Sequence, residues 1–357
     1  YGHSIDDVDW YDAIYKGHNF SQEHNFSVNG GSQKLNYYAS FGYLDQGGLM
    51  KISEENYIRY NATAKIGSQI TNWLKINYSS RFSREDYQRP VALSNGLYEN
   101  MARQGWPMLS VHDRNGYYYD TASPALDLAE GGTHNKQTDN ISQQVMLELE
   151  PIKNWVTRAT FNYRILSYNL HQDRQMRYNH DVNGNPYVYA TGSSVREELN
   201  KENHYNFSVT SEYTQSFNKK HNLHVMAGFQ AEDLKQTYFA LQRNGVLFPN
   251  KPEVDLTTGL DYNGNPVTPS TNGQRNEWAV AGVFGRINYD YDGRYLLEGN
   301  LRYDGSSRFR PGNQWKLFSS ISAGWNISRE SFFEPLKNVI DILKLRVSYG
   351  TLGNQNT

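Results

Sequence analysis

Side chains that alternate between apolar and polar, over runs of about ten residues, restrict this chain's fold more than any other feature. In RYLLEGNLRYDGSSRF, which begins at Arg294, the residues Tyr295, Leu297, Leu301 and Tyr303 alternate with Glu298, Asn300, Arg302 and Asp304. Successive Cβ atoms leave a strand on opposite sides, so this is a strand with one apolar face and one polar face. The pattern recurs at Phe26 and Val28, and again at Leu35, Tyr37, Ala39, Phe41 and Tyr43. It returns over Ile58–Ile66, Leu74–Phe82, Tyr205–Tyr213 and Leu343–Tyr349. About twelve such segments can be drawn, many longer than the five or six residues usual in soluble sheets. Ten residues or so is the length of a tilted strand crossing a bilayer.

The connections narrow the choice further. Short turns are expected at Gly30 to Gln33, Ile70 to Asn72, Pro151 to Asn154, Asn218 to His221 and Asp292-Gly293. Between them lie long polar insertions: Asp45 to Asn56, Tyr87 to Asp139, Tyr168 to Asn203, Tyr238 to Asn276 and Gly305 to Gln314. Short and long strictly alternate. In an up-and-down meander this puts every short turn at one end and every long loop at the other, as in outer-membrane barrels. The fold class read from the sequence is therefore all-β, an antiparallel up-and-down transmembrane β-barrel, with the apolar face toward lipid and the polar face toward a lumen. Trp155, in register with Phe161 and Tyr163, fits an interfacial aromatic girdle, whereas Trp73 shares a register with Lys75 and Asn77. Two helices are also expected, one in SNGLYENMARQ from Ser94 and a short amphipathic one in ESFFEPLKNVIDI from Glu330.

Composition agrees with a barrel. Only 38% of the 357 residues are hydrophobic, yet there are 28 Tyr and 29 Gly, as many strands with one polar face require. Aromatics at 14% argue against disorder, and a net charge of -2 gives no footprint for nucleic acid. Cysteine is absent, which excludes disulfides and thiolate metal sites and suits a protein crossing an oxidising compartment. No apolar run reaches the roughly 20 residues of a membrane helix.

Several phrases resemble the SusC/RagA family of TonB-linked outer-membrane transporters of the Bacteroidetes. They are DWYDAIY at Asp9, HNFSVNGGSQKLNYYASFGYLDQGGLMK at His24, VFGRINYDYDGRYLLEGNLRYDGSSRF at Val283, SAGWNIS at Ser322 and LKLRVSYGTLGNQN at Leu343. They span the chain in the family's order. The resemblance implies a 22-stranded barrel with an N-terminal plug and a TonB box, of which residues 1–357 would be about twelve strands. The plug and the C-terminal strands are expected outside this stretch. It further implies active import, in the bacterial outer membrane, of a large nutrient, either an oligosaccharide or other glycan or a peptide. The implied partners are a SusD-like lipoprotein lid, the TonB-ExbB-ExbD energy-coupling complex and outer-membrane lipid, with a dimer of transporter-lid pairs. A passive porin, and a barrel adhesin or enzyme, are the alternatives.

Chemistry-bearing motifs are sparse. HDRNGYYYD at His112, HDVNGNPYVY at His180 and LDYNGNPVTP at Leu260 read as hairpin tips built on Asn-Gly. Asp181, Asn183 and Asn185, like Asp261, Asn263 and Asn265, also have the spacing of the first ligands of a calcium loop, but Gly192 and Asn272 replace its twelfth-position acid. Incidental structural calcium is therefore the alternative, and no cofactor is expected. Loop aromatics Trp106, Tyr117, Tyr118, Tyr119, Tyr187 and Tyr189 are candidate substrate contacts, because flat rings stack on sugar C–H faces; packing within the hairpins or against a lid is the competing role. His221 and His224 form an H-x-x-H with no acid placed to complete a metal site. Glu232, Asp233 and His224 are too commonplace to define a catalytic centre, and no enzymatic activity is expected.

Overall fold

The computed structural model describes residues 6–119 and 124–353. Residues 120 and 354–356, at the ends of phrases quoted above, lie outside the described residues. Twelve strands form one antiparallel meander: β1 (Ser21–Gly31), β2 (Leu35–Gly47), β3 (Asn56–Thr71), β4 (Leu74–Pro90), β5 (Thr133–Ile152), β6 (Trp155–Arg174), then, past a separate hairpin of β7 (Arg177–His180) and β8 (Pro186–Ala190), β9 (Ser194–Phe217), β10 (His221–Asn244), β11 (Ser270–Tyr291), β12 (Tyr295–Ser306), β13 (Trp315–Asn326) and β14 (Lys344–Gly350). The twelve strands and the alternation of short and long connections are those read from the sequence. Strands β1 and β14 are the two edges of an open sheet. Among the described residues no helix is long and apolar enough to cross a membrane, which says nothing against strands doing so.

Register shows why the alternation has to be strict. Directly paired residues share a face, and Tyr37, Ile66, Tyr78, Val145, Phe161, Phe207, Ala231 and Ala281 are paired in succession across eight strands. On the opposite face Ser40, Thr63, Arg81, Ser142, Arg164 and His204 form an equally unbroken polar row. A one-residue slip anywhere would exchange the two rows. The apolar face is exposed in the isolated sheet, with Phe26, Val145, Phe161, Phe207, Ile287, Leu301 and Ile321 all open. Polar atoms on this face are satisfied by neighbours. Gln143 donates to Ser80 Oγ at 2.8 Å and accepts from the Tyr78 hydroxyl at 2.5 Å. In hydrocarbon no water substitutes for such partners.

The apolar band ends where outward positions become charged. On β4 and β5 it runs up to the Phe82–Ile141 pair. The next outward pair is Arg84–Asp139, a two-pronged ion pair with both N–O distances 2.7 Å. On β10 and β11 the same edge is marked by Asp233 and by Lys235, 2.9 Å from Glu277. Aromatic pairs sit beside that edge, Tyr43 against Tyr60, which is paired with Arg84, and Tyr163 stacked on Tyr205, which is paired with Asp233. A second girdle lines the short-turn end, where Phe217, His221, Tyr291, Tyr295 and Trp325 are paired in succession.

Two expectations are refined. The strands run well past the stretches of alternation, reaching 24 residues in β9 and β10, because the sheet continues above the band, where the outward face mixes Lys201, Asn203 and Lys235 with Leu199 and Phe239. The segment from Glu330 forms a 3-10 turn, Ser331–Leu336, following another at Ile327–Arg329, in place of an α-helix. Pro335 lacks the N–H an α-helix would use, and its ring clashes with the preceding turn.

Val145→Arg, at the middle of the outward band, is expected to destabilise the full-length protein in bilayers by roughly 2–4 kcal/mol. The same change at Gln144, on the lumen face, should cost little. Denaturant unfolding followed by loss of heat-modifiable migration measures both.

Candidate functional site

The long loops, not the wall, hold the only apolar core formed among the described residues. Helix α1 (Trp10–Ile14) starts at Asp9, whose carboxylate accepts from the Tyr11 and Asp12 backbone N–H groups at 2.9 and 3.1 Å. Trp10 and Ile14, four residues apart, share a face. They meet Met50 of the β2–β3 loop and Leu97, Met101, Leu109, Ala125 and Leu128 of the β4–β5 loop, all buried. Leu97 and Met101 belong to α2 (Asn95–Gln104), and Ala125 and Leu128 to α3 (Ala125–Glu130). The Trp10 indole N–H donates to the Trp106 carbonyl at 3.1 Å, and a backbone bridge joins Tyr15 to Met50. Strand β1 descends from this end to its short turn, so residues 6–20 are an outer loop locked into its neighbours.

All three Asn-Gly stretches form the same closed turn. In each, the Asp carboxylate accepts two backbone N–H groups: Asn115 and Tyr117 at Asp113, Asn183 and Asn185 at Asp181, Asn263 and Asn265 at Asp261. Gly116, Gly184 and Gly264 take φ of 86, 82 and 81°, the left-handed region that favours glycine. At Asp181 the Asn185 side-chain amide, then backbone N–H groups, hold the carboxyl below its usual range. At Asp261 the Asn265 backbone N–H is the larger cause and its side chain the next. The donor set does not fit calcium. One carboxylate per turn is already committed to N–H donors, and the side-chain amides of Asn185 and Asn265 point their nitrogens at it.

The six aromatic candidates divide between packing and exposure. Tyr117 stacks on His180 at 3.7 Å, and the Asn115 side-chain amide donates to the Asp181 carbonyl at 3.2 Å, so the first hairpin tip leans on the β7–β8 hairpin. Tyr118 lies 4.6 Å from the His112 ring and against the loop core. Tyr119 pairs its N–H with the Val111 carbonyl. Trp106, Tyr187 and Tyr189 are exposed at the rim, and Tyr117 is nearly as exposed despite its stacking. Along β8, Tyr187 is paired with Asn179, while Tyr189 falls at a register shift between the Tyr178–Val188 and Arg177–Ala190 pairs.

Below the rim, the lumen face offers features that strand patterning alone does not single out. A cavity of about 520 Å³ under the β12–β13 loop is lined by Glu232, Arg302, Asp304, Phe309, Lys316 and Phe318. Arg302 holds Asp304 at 2.6 Å and covers the Phe284 ring at 5.3 Å. A second hollow, of about 780 Å³, is bordered by Lys65, Arg81 and Arg164 among Asn and Ser side chains. Nearer the short-turn end, Arg158 bridges Glu148 at 2.8 Å and Glu212 at 2.5 Å, and Glu212 reaches His224 at 3.2 Å. Strand parity also separates the motif candidates. His224 faces the lumen while His221 faces out and bonds the Tyr289 hydroxyl at 2.7 Å, so the pair cannot grip one ion. Asp233 is outward while Glu232 faces inward, 2.6 Å from His204, so these acids do not converge either.

An antiparallel sheet with a lipid-facing apolar band, two aromatic girdles, a charged lumen wall and a folded outer rim defines the wall of an outer-membrane β-barrel. The family model described as "TonB dependent receptor-like, beta-barrel" matches residues 77–355. The chain belongs to that family. A TonB-dependent receptor of Formosa agariphila is 29% identical over 98% of this chain and 32% of its own length. TonB-dependent receptor SusC of Bacteroides thetaiotaomicron is 26% identical over 98% of this chain and 35% of its length. The chain thus spans about a third of these relatives. Among solved structures, that of the RagAB peptide transporter superposes with a TM-score of 0.79 at 24% identity, covering 99% of this chain and 39% of that one. The SusC/RagA resemblance seen in the sequence and the outer-membrane location follow.

Two outcomes test the rim. Leu97→Ala should cost about 2–5 kcal/mol locally by opening a cavity in the loop core. Limited proteolysis will then cut the β4–β5 loop while the wall stays intact. For the turns, a depressed carboxyl pKa contributes stability that is complete above the unfolded value, about 3.9, and is lost as pH falls through the folded one. Exchange at the Asn263 and Asn265 amides, corrected for intrinsic rate, should stay flat from neutral pH to about 4 and rise only below it.

Proposed function

We propose that this chain forms part of the barrel of an importer that takes a large nutrient, an oligosaccharide or a peptide, across the outer membrane with energy supplied through TonB. The observation that carries the reading is the family match over residues 77–355, joined to a wall whose inward face is charged and hydrogen-bonding along its length. A SusD-like lipoprotein is the proposed partner at the rim, with the TonB-ExbB-ExbD complex at the other side of the membrane and paired transporter-lid units as the assembly. SusC and the RagAB peptide transporter are the relatives that support it. Exposed Trp106, Tyr187 and Tyr189 are the proposed substrate contacts on this chain, stacking on a ligand held between rim and lid. The role is transport, not catalysis, and it needs no cofactor.

The test is growth and uptake on single glycans and single peptides, in cells lacking the gene and in cells lacking TonB. Loss on one nutrient in both strains is expected and names the substrate class. Loss only with the gene deletion would point to passive permeation, and loss of attachment without loss of uptake to an adhesin. Trp106→Ala, Tyr187→Ala and Tyr189→Ala should each weaken half-saturation roughly fivefold, about 1 kcal/mol, without lowering the amount of barrel in the membrane.

A further inference from the structure

Every short-turn connection but one is two or three residues long and polar apart from Trp73. The exception joins β13 to β14 and carries Phe332, Leu336, Val339, Ile340 and Ile342. None of these five is covered by the described residues: Phe332 is 63% exposed, Val339 83% and Ile342 79%. A water-bathed turn has no use for so dense an apolar strip.

The start of the segment is fixed on the lipid side of the wall. Trp325, the last outward residue of β13, is paired with outward Tyr295. Its indole N–H donates to Glu330 at 3.0 Å, and the Tyr295 hydroxyl bonds the same carboxylate. Arg294 stands 3.8 Å from that carboxylate. Phe332 then meets the Trp325 ring edge-on, with centroids 6.4 Å apart, and so extends the row Phe217, His221, Tyr291, Tyr295 and Trp325 by one more ring. Aromatic rings in such a row sit at headgroup level, with apolar bodies toward the acyl chains. Lys337 and Glu334, joined at 2.6 Å, supply a charged edge to the same turn.

We propose that residues 331–343 are a membrane-interface anchor, whose apolar side chains lie in the periplasmic leaflet of the outer membrane against phospholipid acyl chains. The occupant is lipid because the strip is continuous with the lipid-facing girdle through Trp325 and Phe332. The segment lies along the leaflet like an interfacial helix, although Pro335 keeps it in 3-10 turns.

The chain contains no cysteine, so single thiols can be placed in it cleanly. Val339→Cys and Ile342→Cys, made in the full-length protein with Lys219→Cys in a polar turn as control, are labelled with bimane. They are then reconstituted in nanodiscs of phosphatidylethanolamine and phosphatidylglycerol. Phospholipids brominated near the headgroup end of the acyl chain should cut emission roughly twofold at positions 339 and 342 and leave position 219 unchanged. The unlabelled thiols should resist a membrane-impermeant maleimide. Thiols at 339 and 342 that react freely without lipid quenching would place the segment in the periplasm. Thiols that neither react nor are quenched would show another part of the protein covering it. Either result overturns the proposal.

Discussion

Backbone hydrogen bonding is the constraint on which this molecule depends. A polar main chain in hydrocarbon has no water to turn to, so each strand satisfies its neighbours through uninterrupted ladders from β1 to β14. Once the ladder is fixed, side chains have only two directions, and every residue of the wall is assigned to lipid or lumen by parity. The Gln143–Ser80–Tyr78 cluster shows how tightly the rule binds. A polar side chain facing lipid is kept, and it brings its own donors and acceptors.

Parity also explains what the sequence could say. The register row from Tyr37 to Ala281 and its polar counterpart from Ser40 to His204 follow from period two alone, and the alternation of short and long connections orients the sheet. Strand ends were harder to read, because above the band polar and apolar residues mix on each face and the alternation fades while the ladder continues. Loop structure was partly legible. Asn-Gly gave the three tips, and the helix expected in SNGLYENMARQ is α2, with Leu97 and Met101 at i, i+4. The loop core was missed, although Trp10 and Ile14 behind Asp9 carry the same helical spacing, because its members come from three separate connections. Of the six aromatic candidates, Tyr118 is occupied by His112, its partner across the Asn-Gly turn, and Tyr117 by His180, which no local pattern pairs with it.

Wall and rim are therefore two materials in one chain. The wall has no core of its own and relies on lipid outside and on whatever fills the lumen inside. The rim has a small conventional core, helix caps and closed turns, and its residues answer to ordinary aqueous energetics. Substitutions in the two zones will fail differently, the first through solvation in hydrocarbon and the second through cavities and lost caps.

The extra length of β9 has an electrical consequence. Its outward band stops at Tyr205, beside Asp233, yet pairing continues up to Ser194. At about 3.3 Å per residue and a tilt of roughly 40°, that stretch lifts the loops some 25–30 Å above the edge of the band. The Debye length at physiological salt is about 8 Å, so the field of an anionic lipid surface has decayed through several such lengths before it reaches the rim. Whatever meets Tyr187 and Tyr189 does so outside the membrane's ionic atmosphere, and a charged ligand is judged there by the loops' own charges alone.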